Sequence, residues 1–141
     1  MNHEDFVTYE QAKILKKLGF NWECNHYYDH NCKLVEYNMS YESCYHNWND
    51  DNYKDFRQNS APTLAQAQKW LRTVKCIIVH VFIDDDSNEP WSYELVSTKR
   101  DEDDDWVYLV TQWNSNFYGK EPEQALSAGI DKALELLKEK E

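Results

Sequence analysis

The chain reads as an α+β protein: a three-stranded antiparallel meander packed on one face by helices, in the order α-β-β-loop-α-β-β-β-α. Three observations predict it. A capped amphipathic stretch beginning at Thr63 runs directly into an eight-residue run rich in β-branched residues, Cys76 to Ile83. Two alternating runs follow across acidic turns, Trp91 to Thr98 and Trp106 to Trp113. A final apolar stripe at helical spacing, Leu126, Ile130, Ala133, Leu134 and Leu137, completes the pattern.

The first helix is announced at Thr8, three residues before Gln11, a spacing at which the two side chains satisfy each other's backbone donors. Ile14, Leu15 and Leu18 then line one side, Lys13, Lys16 and Lys17 mostly the other, and Gly19 suits a left-handed residue just past the end. Phe20 to Tyr28 and Lys33 to Tyr37 read as extended segments joined by the polar turn Asp29 to Asn31, a small hairpin. From Asn38 to Ala61 the chain is polar and nearly free of aliphatic residues, a long loop of the kind that is functional or disordered.

Thr63 and Gln66 repeat the capping pattern, and the string TxxQA occurs at both Thr8–Ala12 and Thr63–Ala67. Nothing else aligns between the halves, so these are two similar helix starts rather than a duplication. Leu64, Ala67, Trp70, Leu71 and Val74 form the buried stripe of this second helix. Cys76 to Ile83 then reads as a central strand covered on both faces, with Ile77, Val79, Val81 and Ile83 toward the helix. Pro122 stands early in the last helix, where a missing N–H does no harm. The 141 residues are most simply one domain, with residues 63–137 as its core and 38–61 as the loop.

Charge and composition narrow the function. The formal net charge of -11 opposes general affinity for nucleic-acid phosphate or anionic lipid, so double-stranded nucleic acid and membrane surfaces are unfavoured partners. No apolar run is long enough to span a bilayer. Residues 1–10 lack the cationic start and apolar centre of a secretory signal, and four cysteines without such a signal read as reduced thiols, so a cytoplasmic location is expected. Six Trp, ten Tyr and five Phe exceed the needs of a minimal core, which leaves rings for a surface.

Three groupings could carry chemistry. Cys24, His26, His30, Cys32, Cys44 and His46 are six soft or borderline metal ligands on and around the hairpin, and four of them in tetrahedral array would hold zinc. Their i, i+2 spacing differs from a CxxC turn, and the alternative is a polar hairpin with Cys24 tucked inward. Asp84, Asp85, Asp86 and Glu89, and then Asp101, Glu102, Asp103, Asp104 and Asp105, form two acidic turns. In a meander these lie at opposite ends of one strand, roughly 25 Å apart at about 3.4 Å per residue, and cannot share an ion. They read as solvated tips that keep strand edges from pairing with other chains, or, with Asp103, Asp104 and Asp105 foremost, as charge that imitates phosphate toward a basic protein partner. Trp91 and Tyr93 on one strand and Trp106 and Tyr108 on the next could stack as a patch on a single face, for a protein partner or unstacked bases, or could pack against the amino-terminal half. His80 lies inside its strand with no nucleophile placed beside it, and Cys76 on the same face would lie about 13 Å away. No phosphate-binding, dinucleotide or hydrolase motif is present, no cofactor is predicted, and no nucleophile, base and charge-stabilising group can be assigned together.

The order helix, three antiparallel strands, helix over Thr63 to Leu137 resembles the topology of the double-stranded-RNA-binding domain. The lysine-rich start of that family's last helix is replaced here by GKEPEQALSAG, with Glu121 and Glu123, so only topology is shared. FVTYEQAKILKKLGFNWECNHYY, APTLAQAQKWLR and EQALSAGIDKALELL resemble a family of short uncharacterised proteins of gut Bacteroides and their phages and mobile elements. That resemblance implies an intracellular protein of bacterial or phage origin and carries no site residues. Together with the charge, it leads to the expectation of a small acidic non-enzymatic binding protein whose partner is another protein. Single-stranded nucleic-acid binding and a metal-binding protein or small metalloenzyme are the alternatives.

Overall fold

A computed structural model describes residues 5–37, 46–50, 58–84, 88–111 and 117–140. Its elements are helix α1 (Tyr9–Lys17), strands β1 (His26–Tyr28), β2 (Leu34–Glu36) and β3 (Asn59–Ser60), helix α2 (Leu64–Val74), strands β4 (Ile77–Ile83), β5 (Trp91–Ser97) and β6 (Val107–Val110), and helix α3 (Pro122–Glu139). The architecture is α+β with two three-stranded antiparallel sheets. The chain divides into two compact units, Met1–Thr63 and Leu64–Glu141.

In the first unit α1 starts as its sequence dictates. The Thr8 hydroxyl accepts from the Gln11 amide at 3.1 Å, and Gln11 Oε1 accepts from the Thr8 amide at 2.8 Å. Gly19 follows the helix in the left-handed region, φ 95°. Val7, Ala12, Leu15 and Phe20 are buried, with Tyr28 beside them donating its hydroxyl to the Val7 carbonyl at 2.6 Å. The hairpin is real but shorter than expected: only three residues of each arm pair, with Tyr27 opposite Val35. The 38–61 segment is not wholly irregular, because Asn59–Ser60 adds a third strand to the free edge of β1. Asn49 secures this edge, donating from Nδ2 to the Phe20 carbonyl and accepting the Ser60 amide at Oδ1. Residues 38–45 and 51–57 of that segment lie outside the described residues.

The second unit is the meander, in spatial order β4-β5-β6. The central strand is therefore β5 and not the hydrophobic run of β4, which forms an edge. Consecutive hairpins put the middle strand in the centre whatever its hydrophobicity, and β5 accordingly buries Ser92, Tyr93, Leu95 and Val96. Nor are both faces of β4 covered. Ile77 and Val79 are buried beneath the helices, while Ile78 and Phe82 are only half-buried and His80 is exposed; at the far end Ile83 is 63% exposed. Cys76 is not in the strand. It follows α2 at φ 61°, the left-handed position past a helix end that glycine ordinarily takes.

α2 buries Leu64, Ala67, Trp70 and Leu71 against β4 and α3, and its Gln68 donates from Nε2 to the Val79 carbonyl at 2.8 Å. α3 crosses β4 and β5. Its contact is closest at Gly129, where an added Cβ would lie 2.5 Å from Val79 Cγ1 and 3.2 Å from the Tyr93 ring. The buried stripe of α3 is thus Ala125, Gly129, Ile130, Ala133 and Leu134, with Leu126 and Leu137 at its margins.

Candidate functional site

The acidic turn between β5 and β6 is built by the side chain of its first residue. Asp101 accepts from the Asp103 and Asp105 amides at 2.9 and 3.0 Å, its amide donates to the Asp105 carbonyl, and Asp104 takes φ 62°. The hairpin turn at Asp29 repeats the design: Asp29 accepts from the Asn31 and Lys33 amides, and Cys32 takes φ 64°. These backbone donors, that of Lys33 foremost, hold the Asp29 carboxyl below its ordinary range. Asp is one of the few residues besides glycine that visits this left-handed region readily, whereas Cys bears the steric cost of its Cβ there.

In the acidic turn the Arg100 guanidinium lies over the Trp106 ring, 4.2 Å from its centre, and reaches the Asp104 carboxylate at 3.6 Å. Asp101 is thus engaged by the backbone and Asp104 by a cation. Glu102, Asp103 and Asp105 are exposed, and their carboxylates have no hydrogen-bond or ion-pair partner among the described residues. Immediately after them Trp106 is 47% and Tyr108 52% exposed.

The four aromatic residues do not form one patch. Tyr93 is 4% exposed beneath α3, and burial pushes its phenol up. Trp91 shares that face of β5 by strand alternation. The reason for the separation is a bulge. β5 pairs Leu95 with Val110 but Val96 with Tyr108, so β6 carries one extra residue, Leu109. Continuing the first register would have placed Tyr108 opposite Ser97, on the Tyr93 face; the extra residue places it opposite Val96, on the other. On that open face His80 Nδ1 meets Glu94 Oε1 at 2.9 Å and lies beside Phe82, with ring centres 5.4 Å apart. His80 is therefore an exposed residue in hydrogen-bond contact with Glu94.

The other acidic turn is closed by the Asp84 amide on the Pro90 carbonyl, at the opposite end of β5; Asp85 and Asp86 lie outside the described residues.

The candidate metal ligands of the first unit are divided between two ends of its hairpin. Cys24 and His46 exchange backbone hydrogen bonds in an antiparallel bridge, with Trp48 Nε1 donating to the Cys24 carbonyl at 2.7 Å. Burial pushes the Cys24 thiol up, and Ser60 and the Ala61 and His26 backbone pull the other way. His26 is buried against the Phe6 ring, its Nδ1 on the Asn25 side-chain oxygen at 2.6 Å. His30 and Cys32 sit on the exposed turn at the far end, and Cys44 is outside the described residues. Among the described residues no three His, Cys, Asp or Glu side chains converge as a metal site. In place of a ligand cage there is an aromatic cluster that sequence spacing does not reveal: Trp48 packs on Tyr27, Tyr37 and His46 with ring centres 4.8 to 5.0 Å away.

No family model, no curated protein and no solved structure matches the chain. Among the described residues no helix is long and apolar enough to cross a membrane.

Proposed function

We propose that the chain is a non-enzymatic binding protein whose partner is another protein with a basic surface, engaged through Trp106, Tyr108 and the acidic turn before them. The observation that carries this reading is the juxtaposition at that turn. Three carboxylates without hydrogen-bond or ion-pair partners among the described residues stand next to two large rings that are about half exposed. An aromatic anchor rimmed by unpaired charge is the chemistry of a binding hot spot steered by electrostatics. A partner that itself handles nucleic acid suits such a surface, because a row of carboxylates presents charge as phosphates do. The family resemblance in the sequence would put that partner in a bacterial host. Stacking of single-stranded bases is less well served, since Tyr93 is buried and Trp106 and Tyr108 lack the other two rings of a platform.

The test is affinity capture from bacterial lysate at low and high salt, with the parent, the Glu102→Gln/Asp103→Asn/Asp105→Asn variant and the Trp106→Ala/Tyr108→Ala variant. A protein partner is expected that weakens with salt and is lost by both variants. Recovery of nucleic acid that only the aromatic variant loses would overturn the proposal, as would a protein partner indifferent to both.

A further inference from the structure

A second feature of the meander unit lies apart from the aromatic surface. Where α2 and α3 end, beside the start of β4 and the end of β5, there is an open cavity of about 410 Å³. That volume is within the range of small-molecule sites. Its floor is apolar, formed by Val74, Ile77, Leu109 and Leu137, and Val74 and Leu109 are left exposed. Its rim is cationic: Lys75, Lys99 and Lys140 line it, and among the described residues no acidic side chain does. In a chain of net charge -11 this is a local inversion of sign.

Two of the lysines have another employment. Lys75 and Lys140 stand at the ends of α2 and α3, where cations offset the partial negative charge of the last carbonyls, and the Lys75 ammonium also lies over the Trp70 ring at 5.6 Å. Lys99 has neither duty. It comes from the strand side, is exposed, and its ammonium makes no ion pair among the described residues. The acidic turn begins only two residues after Lys99, but none of its side chains lines the cavity, so the lysines set the charge of the lining itself.

We infer that this cavity binds a free amphiphilic carboxylate, with the alkyl chain on the Ile77–Leu109–Leu137 floor and the head group at Lys99. The apolar floor alone would accept any hydrophobe, and the cationic rim selects an anion. Leu109, the extra residue of the β6 bulge, belongs to this floor, so the same irregularity that carries Tyr108 to the open face supplies a wall of the cavity.

The experiment titrates the full chain with sodium decanoate below its micelle concentration and reads heat of binding. In parallel, alkylation of Cys76, which lines the cavity, is mapped by mass spectrometry with exposed Cys32 as the internal control. One saturable site is expected, with Cys76 protected and Cys32 unaffected. Lys99→Gln should weaken binding by about tenfold, the loss of one charge-assisted hydrogen bond. Leu109→Gln should weaken it as well, and decyltrimethylammonium should not bind. Circular dichroism establishes that each variant is folded. Absence of saturable binding, equal binding of the cation, or unchanged affinity in folded Lys99→Gln would overturn the inference. Capture by phosphatidylglycerol vesicles without decanoate binding would also overturn it and assign the lysines to a lipid surface.

Discussion

His26 shows how one residue sets the pH response of the amino-terminal unit. Its imidazole is buried against Phe6, and the Asn25 carboxamide oxygen faces Nδ1, so that nitrogen carries the proton of the neutral ring. Burial lowers its pKa from the ordinary 6.5, although Glu36, opposite on β2, pulls it back toward the charged form. A folded pKa below the unfolded value means that the unfolded chain takes the proton first. The stabilisation is therefore complete above about pH 6.5 and is lost as pH falls below it. The urea midpoint should drop between pH 7 and 5, and His26→Gln should flatten that drop. Equal slopes for parent and variant would show that the ring is not buried as neutral imidazole. Sequence alone offered His26 as a zinc ligand, because a histidine two residues from a cysteine looks the same whether its neighbour is a metal or a phenylalanine ring.

At the scale of the element, the helices were legible and the sheet only in part. Capping pairs and apolar stripes are local signals, so Thr8 with Gln11, and the stripe from Leu64 to Leu71, led directly to α1 and α2. The succession of antiparallel hairpins followed from alternation and turn residues, although Cys76 to Ile83, expected as a central strand, forms an edge. What did not follow was which way a side chain faces beyond an irregularity: the bulge at Leu109 leaves no mark in the pattern of Val107–Val110, yet it separates Tyr108 from Tyr93. The cavity was equally invisible, since its lysines come from three distant segments and each reads singly as a solvated charge. Gly129 carries no signal in the sequence for a related reason. An isolated glycine in a helix looks like a weakness, but here it allows α3 to approach Val79 and Tyr93. Gly129→Ala would gain about 1 kcal/mol in helix propensity. It would also press a methyl to 2.5 Å from Val79 Cγ1 and force the helix outward. The overpacking term, about 1 to 3 kcal/mol, should win. Net destabilisation in urea unfolding is expected, relieved in a Gly129→Ala/Val79→Ala double variant. A more stable single variant would mean that the helix packs farther from the sheet.

For the whole molecule, the two compact units differ in what holds each together, and that difference predicts how each behaves alone. Residues 64–141 contain a complete layer structure: a meander with seven-residue pairing between β4 and β5, and two helices on one face. Trp70, Leu71, Val79, Leu95, Ile130 and Leu134 supply its own buried core. Among the described residues its strands pair as consecutive hairpins, with one longer-range bridge between Trp91 and Gly119, so little loop entropy is spent before most contacts form. Domains of this size fold unaided in many cases. The described residues of 1–63 form instead a nine-residue helix and strands of only two or three residues, tied together by single bonds such as Tyr28 to Val7 and Asn49 to Ser60. An isolated helix that short is marginal in water, and so is a small sheet without a broad apolar face. The fragment 64–141 is therefore expected to give a helical and strand-containing circular dichroism spectrum and a single cooperative urea transition, whereas fragment 1–63 should show neither. A gradual, non-cooperative melt of 64–141 would mean that its sheet needs the amino-terminal residues to form. In that case the chain would fold only as one piece.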